Sequence, residues 1–416
     1  MIAEAIDHTK KRIIMLTWEY PPHIVGGLAR HVQALAAELA EIGQEIHVIT
    51  ANPYNASDYE KKDGVHIHRV TPLNHNDPDF IAWIGGLNLA AANKAMLIAG
   101  PAPIDIVHTH DWLTGPAAEY LSEALNVPLV ATIHGTEFGR NNGVFTELQH
   151  FINSKEKELA ESAARVIVCS EFMAEEVTAL FGIKKAKVTV IENGASFDIK
   201  TKQRANLEEQ YPFIKGKKVI FSIGRIVKEK GFDSVIKAAV LLRDTHPDIC
   251  FVIAGNGPLL DEYRKFAKRL SVDDRVFFIG FIPDEVRLGF LAKSNLAVFP
   301  SLYEPFGLAA VESLSFGVPT IVAKTGGMQG LVEDYRTGFY MEPGNEKSLA
   351  DTVSYIIKNP EKAKKIAESG SEETEINFSW RRNARLTDCL YDDLLRLQYT
   401  LKEADNESER SSKNSC

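Results

Sequence analysis

Short apolar runs of strand length alternate with segments of helical period along this chain, and they do so twice over. Arg12 to Trp18 is the first run. Glu19-Tyr20-Pro21-Pro22 follows as loop, because two prolines fit neither a helix interior nor a central strand. Past Gly26-Gly27, the residues Leu28, Val32, Leu35, Ala36 and Leu39 recur at helical spacing. Gly43 closes that helix, and Glu45 to Thr50 reads as the next strand. Strand, helix and strand joined by short links imply a parallel sheet with right-handed crossovers. Val65 to Val70, Ile104 to His108, Pro128 to His134, Arg165 to Cys169 and Lys187 to Ile191 continue the series. A second series runs Lys218 to Ile223, Cys250 to Ala254, Val276 to Ile279, Leu296 to Pro300 and Pro319 to Ala323. The expected class is α/β, with two parallel-sheet domains facing a cleft.

At 416 residues the chain is long enough for two domains with a sizeable core each. The expected divisions are a first domain over 1–194, a polar link over 195–216 and a second domain over 217–379. A helix over 380–402 and a disordered polar tail over 403–416 complete the chain. A formal net charge of −9 argues against nucleic acid as a partner. Local basic patches leave room for contact with a membrane surface, but nothing indicates it. No apolar stretch reaches the ~18 residues of a spanning helix, so none is expected. Cys169, Cys250, Cys389 and Cys416 lie far apart and make no C-x-x-C pair. A reduced, cytoplasmic protein without a cysteine-built metal site is expected.

Open parallel sheets bind ligands beyond the carboxyl ends of their strands, so the residues just after each strand matter most. Pro300 to Glu312 is the most informative segment. Pro305 breaks any strand continuation, and a helix starts near Gly307. The amides around Gly307 and Leu308 are then free first-turn donors suited to a phosphate. Glu312 lies among Ala309, Ala310, Val311, Leu314 and Phe316, where a carboxylate is costly without a partner. Ribose hydroxyls would serve with a nucleotide bound, and water in the open cleft without one. The alternative is a Glu on a narrow solvent-facing stripe. Arg225 and Lys230 follow the strand Lys218 to Ile223 and would grip a diphosphate, Arg as a fork and Lys as a point charge. A solvated basic loop is the competing reading. Gly26-Gly27 opens a helix and makes a second anion-capable start, without a G-x-G-x-x-G fingerprint.

His108 and His110 alternate so that both side chains share one side of an extended segment. With Asp111 nearby, a metal site competes with a structural wall between the domains, and the wall is preferred because no third ligand has a recognisable spacing. No metal is expected. His134, at a strand end beside Gly135, is better placed to touch a ligand.

Taken together, Glu304-Pro305-Phe306-Gly307-Leu308-Ala309-Ala310-Val311-Glu312, Gly224-Arg225 with Lys230-Gly231, Gly26-Gly27 and Glu192-Asn193-Gly194 resemble the two-Rossmann-domain (GT-B) retaining glycosyltransferases of family four, with Glu192 where that family has proline. The resemblance spans Trp18 to about Tyr391. It implies that Arg225 and Lys230 bind a donor diphosphate, and that Gly307 and Leu308 meet the sugar or phosphate through their backbone. Glu304 would contact the transferred sugar, Glu312 would hold the ribose, and His134 would line the sugar pocket. Gly26 and Gly27 would approach the distal phosphate, and Trp380 to Tyr391 would cross back onto the first domain. Ile24 stands where glycogen and starch synthases carry lysine, although His110-Asp111-Trp112 is similar to theirs. Gly330 stands where the family has an acidic residue.

The implied activity is transfer of a hexosyl unit from a UDP-, ADP- or GDP-linked sugar to a carbohydrate or other hydroxyl, with α-glucan synthesis among the candidates and no cofactor. A nucleotide-sugar epimerase or phosphorylase on the same fold, a dehydrogenase and a catalytically silent sugar-binding scaffold are the rival classes. The dehydrogenase lacks its glycine fingerprint, and the scaffold would have no need of Arg225, Lys230, Glu304 and Glu312 together.

Overall fold

The computed structural model describes residues 10–52, 56–100, 102–195 and 206–413, with side chains described as far as Thr400. The first sheet contains β1 (Arg12–Leu16), β2 (Glu45–Ala51), β3 (Tyr59–Lys62), β4 (Val65–Val70), β5 (Ile106–His110), β6 (Leu129–Ile133), β7 (Arg165–Val168) and β8 (Val188–Val190). Their spatial order is β3-β4-β2-β1-β5-β6-β7-β8. All neighbours are parallel except β3 and β4. The second sheet contains β9 (Lys218–Ile223), β10 (Ile249–Ala254), β11 (Val276–Gly280), β12 (Leu296–Phe299), β13 (Thr320–Ala323) and β14 (Phe339–Met341). It is parallel throughout, in the order β11-β10-β9-β12-β13-β14. Helices cover both faces, which is why the strands are runs of buried Ile, Val, Leu and Phe rather than alternating patterns. The strand order reverses between β1 and β5 in the first domain, and between β9 and β12 in the second. A cleft of about 1100 Å³ opens at these two switch points.

Two strands go beyond the sequence expectation. β3 is the polar stretch Tyr-Glu-Lys-Lys, mostly exposed at the sheet edge, so it has no apolar pattern. Its hairpin to β4 turns on Asp63-Gly64, both with positive φ, the pair that such a turn favours. β14 has only three residues. β5 also runs to His110, two residues past the expected end at His108, so both histidines lie inside the sheet.

Three further expectations change. The helix Phe80–Ala99 has 20 residues and a mean hydropathy of 1.3, so by length and composition it meets the test for a spanning segment. Asn88, Asn93 and Lys94 interrupt its apolar run, so the sequence pattern is less plain than the composition. One face of it, with Ile84, Leu87, Ala91, Ala95 and Ile98, is buried within the protein. In the link over 195–216, residues 196–205 lie outside the described residues. The remainder is not a bare linker: Leu207 and Ile214 are buried in the second domain's core with Val219 and Phe221. Two isolated apolar anchors make no period, so the sequence pattern does not reveal them. Finally, the last helix runs Trp380–Lys413, past the expected end at 402. Its apolar stripe stops near Leu401, but the Glu, Lys, Arg and Ala that follow include good helix formers. The last three residues of the expected tail, 414–416, lie outside the described residues.

That helix begins beside the second domain and ends its packing on the first. Ala384, Leu390, Tyr391 and Leu394 join Val32, Leu35 and Leu39 in the first domain's core. Lys11 holds Asp388 at 2.9 Å and Asp392 at 2.7 Å. The chain thus crosses between domains twice, side by side: Ala195 donates its amide to the Phe378 carbonyl, and a Cβ on Gly194 would lie 2.2 Å from the Trp380 nitrogen. Glycine is required at 194 because backbone occupies the space of a side chain. Glu192, in the proline's place, pairs with Arg382 at 3.0 Å.

Candidate active site

The loop after β1 brings Gly26 and Gly27 to the cleft. Glu19 is buried beneath this loop and accepts the amides of Val25 and Gly26, the latter at 3.1 Å. Burial raises the Glu19 pKa, and the amide donors oppose that shift. A carboxylate thus occupies the helix start in the position an anionic ligand would take, and it fixes the loop. Gly27 faces the other domain: a Cβ there would stand 3.0 Å from Leu308 Cδ1. Sequence reasoning treated Glu19 as loop only. Its signal was a carboxylate seven residues before a glycine pair.

The central wall is built of imidazoles. His108 and His110 are fully buried in β5, their rings stacked at 4.4 Å. His108 bonds Tyr391 at 2.6 Å and Thr132 at 2.7 Å. His110 Nδ1 meets His134 Nε2 at 3.2 Å. His31, from the helix Gly27–Glu41, packs on His134 at 4.6 Å and on Trp380 at 5.3 Å, and bonds Asn193 at 2.8 Å. Burial, with Arg140 adding repulsion, pushes the His134 pKa down to about 3. Burial first, and mutual repulsion second, hold His31, His108 and His110 well below their ordinary range. The wall is therefore neutral near pH 7. Asp111, with a positive φ of 61°, accepts the His134 amide at 2.8 Å. Burial raises its pKa to about 6, against the pull of Arg140.

His31, which the sequence reading did not consider, supplies the third imidazole that spacing had not revealed. One ring nitrogen from each of His31, His110 and His134 lies within 4.8 Å of the others. Arg140 alongside disfavours a second cation there.

On the facing domain, the loop after β9 presents Arg225 and Lys230, and the turn after β12 presents Glu304. Arg225 extends into the cleft, about half exposed, with Glu229 at 3.4 Å. Lys230 pairs with Glu304 at 2.6 Å, and Ser301 bonds the same carboxylate oxygen at 3.3 Å. Gly307 caps the helix Leu308–Ser315 at φ 104°, a left-handed value that suits glycine. Ala310 and Val311 are the first amides to bond back, both to the Gly307 carbonyl, so those of Leu308 and Ala309 precede the helix ladder at the cleft. Gly326 and Gly327 press on the Glu304 and Pro305 carbonyls, where Cβ atoms would come within 2.3 and 2.0 Å. A side chain at Gly330 would meet nothing within 4 Å.

Glu312 does not wait on ribose or water. Arg287, buried in the helix Asp284–Lys293, pairs with it. Arg287 also meets Asp284 at 3.3 Å, and Asp284 takes a two-pronged bond from Arg30 of the first domain at 2.6 and 3.2 Å. Burial works against the Arg287 charge, but Glu312 and Asp284 outweigh it and raise its pKa. The sequence reading missed this partner because it comes from another helix, 25 positions earlier in the chain. The two domains also meet directly: Ser170 donates to the Pro305 carbonyl at 2.7 Å, and Tyr303 donates to Glu176 at 2.8 Å.

His134, Arg225, Lys230, Glu304, Gly26, Gly27, Gly307, Leu308 and Glu312 all line this one cleft. Residues 25–198 match the model described as Glycosyltransferase Family 4, and residues 203–373 that described as Glycosyl transferases group 1. An uncharacterised glycosyltransferase of Methanocaldococcus jannaschii is 31% identical over 91% of this chain and 97% of its own length. A glycogen synthase of Mycobacterium tuberculosis is 32% identical over 91% of this chain and 94% of its own. Among solved structures, a sucrose-phosphate synthase from Thermosynechococcus elongatus superposes with a TM-score of 0.79 at 23% identity, covering 93% of this chain and 100% of that one. The catalytic domain of starch synthase IV from Arabidopsis thaliana, bound to ADP and acarbose, does so at 0.73 and 18%, covering 93% and 100%. The chain belongs to the GT-B glycosyltransferases, with a family 4 first half and a group 1 second half.

Proposed function

We propose that this glycosyltransferase moves a hexosyl unit from a nucleoside-diphosphate sugar to a hydroxyl of a carbohydrate or other acceptor, with retention at the anomeric carbon. The observation that carries the reading is the convergence of Arg225, Lys230 and the start of the helix Leu308–Ser315 on one side of the cleft, opposite His134. Breaking a sugar–phosphate bond builds negative charge on the leaving diphosphate and positive charge on the sugar ring. Two cations and a helix start stabilise the first, each such donor being worth about 3–4 kcal/mol when preorganised. A neutral His134 offers the sugar a hydrogen bond without adding positive charge beside the developing cation.

Glu304 already serves Lys230 and Ser301. A carboxylate so engaged is a weak covalent nucleophile, which favours a front-face path in which the departing phosphate oxygen takes the acceptor's proton. The reading places the enzyme in the cytoplasm; free Cys169, Cys250 and Cys389 support a reducing compartment.

The test is thermal melting of the full chain with UDP-, ADP- and GDP-sugars. A donor at a hundred times its Kd stabilises the fold by about 2.7 kcal/mol. A melting temperature that none of the three nucleotide classes raises would refute the donor assignment.

A further inference from the structure

The two walls of the cleft differ in charge and in surface. The second domain presents three cations, Arg225, Lys230 and Arg287, and four carboxylates, Glu229, Asp284, Glu304 and Glu312. The first domain's described lining carries five carboxylates, Glu19, Glu38, Asp63, Asp111 and Glu137, and two guanidiniums, Arg30 and Arg140. Both guanidiniums are already engaged with carboxylates. Arg30 is held by both oxygens of Asp284. Arg140 lies 3.7 Å from both Glu137 and Glu156, with Asp111 adding to the negative field around it, and it donates to the Gly135 carbonyl at 3.1 Å. The histidines behind this wall are neutral.

The same wall carries an aromatic corner. Trp18, just past β1, and Phe80, at the start of the helix Phe80–Ala99, both line the cleft and meet at 6.2 Å with their rings at 82°. Phe80 is 48% exposed, a large apolar face left open. Trp83 lies parallel to it at 6.3 Å and supports it from within the same helix. Trp18 is braced in turn by His23 at 5.4 Å. Rigid rings whose faces meet solvent beside carboxylates suit one ligand chemistry: a sugar ring, whose C–H face stacks on the aromatic and whose hydroxyls donate to carboxylate oxygens. A phosphorylated sugar would set a dianion against the more negative of the two walls, while the donor's diphosphate draws on Arg225 and Lys230 opposite.

We infer that the acceptor is a neutral glycan end, stacked on the Trp18–Phe80 corner, and that phosphorylated sugars are rejected by the carboxylate-rich wall around Arg140. This rests on the donor reading above and adds the acceptor class to it.

The test measures nucleoside diphosphate release by the full-length protein from UDP-, ADP- and GDP-glucose. Release is followed with no acceptor, with maltoheptaose or cellopentaose, and with glucose 1-phosphate or glucose 6-phosphate. A neutral oligosaccharide should accelerate release at least tenfold over the acceptor-free rate, and neither phosphate should. Phe80→Ala should raise the KM for that oligosaccharide at least tenfold while the donor KM stays within twofold, and Phe80→Trp should restore it. Faster release with a phosphorylated sugar than with either oligosaccharide, acceleration by neither oligosaccharide, or an unchanged KM in Phe80→Ala would overturn the inference. Failure of the donor reading looks different: no nucleotide would bind, and no release would occur under any condition.

Discussion

Glu312→Gln separates a structural from a ligand-binding carboxylate. Arg287 is 6% exposed, and Glu312 is one of its two anionic partners. Removing one partner from a buried pair typically costs about 3–5 kcal/mol. Three features reduce that here. The Glu312 side chain keeps 21% of its exposure, Asp284 remains 3.3 Å from Arg287, and glutamine retains an oxygen that can accept from the guanidinium. We expect a loss of about 1–2 kcal/mol, or roughly 2–8 °C in the melting of the second domain. This reverses the expectation from sequence alone, in which the removal of an unpartnered buried charge would leave stability unchanged or raised. The assay is calorimetric melting of the free protein with a double-mutant cycle of Glu312→Gln and Arg287→Gln, where a coupling of at least about 0.5 kcal/mol is expected. Titration with the nucleoside diphosphate reads the second role: a lost charged hydrogen bond to ribose weakens binding by about 1.5–3 kcal/mol. An unchanged or higher melting temperature would refute the ion-pair argument. A lower one with unchanged affinity would remove Glu312 from the nucleotide site.

Arg225→Ala and Lys230→Ala should each lose about 2 kcal/mol or more of transition-state stabilisation, read as kcat/KM, because the diphosphate keeps one cation fewer; normal turnover by both would refute the grip. Turnover should persist in EDTA, since those two side chains supply the positive charge a divalent ion would otherwise bring; loss in EDTA with recovery on adding magnesium or manganese would contradict this. Stability should fall as pH drops from 7 towards 5. His31, His108, His110 and His134 have folded pKa values below their unfolded ones, so they stay neutral in the fold while the unfolded chain takes up protons below about 6.5. Asp111 and Glu156, raised to about 6 and about 8, act with the opposite sign and offset part of this. Four imidazoles against two carboxyls leave a net loss of at least about 1 kcal/mol per pH unit. Denaturant midpoints that stay flat between pH 7 and 5 would show that the wall takes up protons while folded.

The alternation of apolar strands and amphipathic helices is a local signal, and it marks every described strand but β3 and β14. Buried parallel strands need continuous apolar residues on both faces, and that need is written within each strand. β3 escaped because an edge strand has no such need, and only Asp63-Gly64 betrayed it. The loops at the strand ends were readable for a similar reason: Arg225, Lys230, Glu304 and Gly307 lie in two short stretches, each directly after a strand. What local pattern does not carry is who meets whom across the fold. Arg287 beside Glu312, His31 between His134 and Trp380, and Glu19 beneath Gly26 each join elements that only the packed chain brings together.

The last helix makes the two halves unequal as inheritable parts. Residues 380–400 fill the first domain's core through Ala384, Leu390, Tyr391 and Leu394, and are tied there through Lys11. The second domain is therefore an insert within the first, entered near 195 and left near 379. A polypeptide ending at the first crossing would expose the seat of Tyr391 to solvent. Exchange of donor specificity between related enzymes, by recombination or by design, then needs two junctions rather than one, with the terminal helix kept beside the domain it completes.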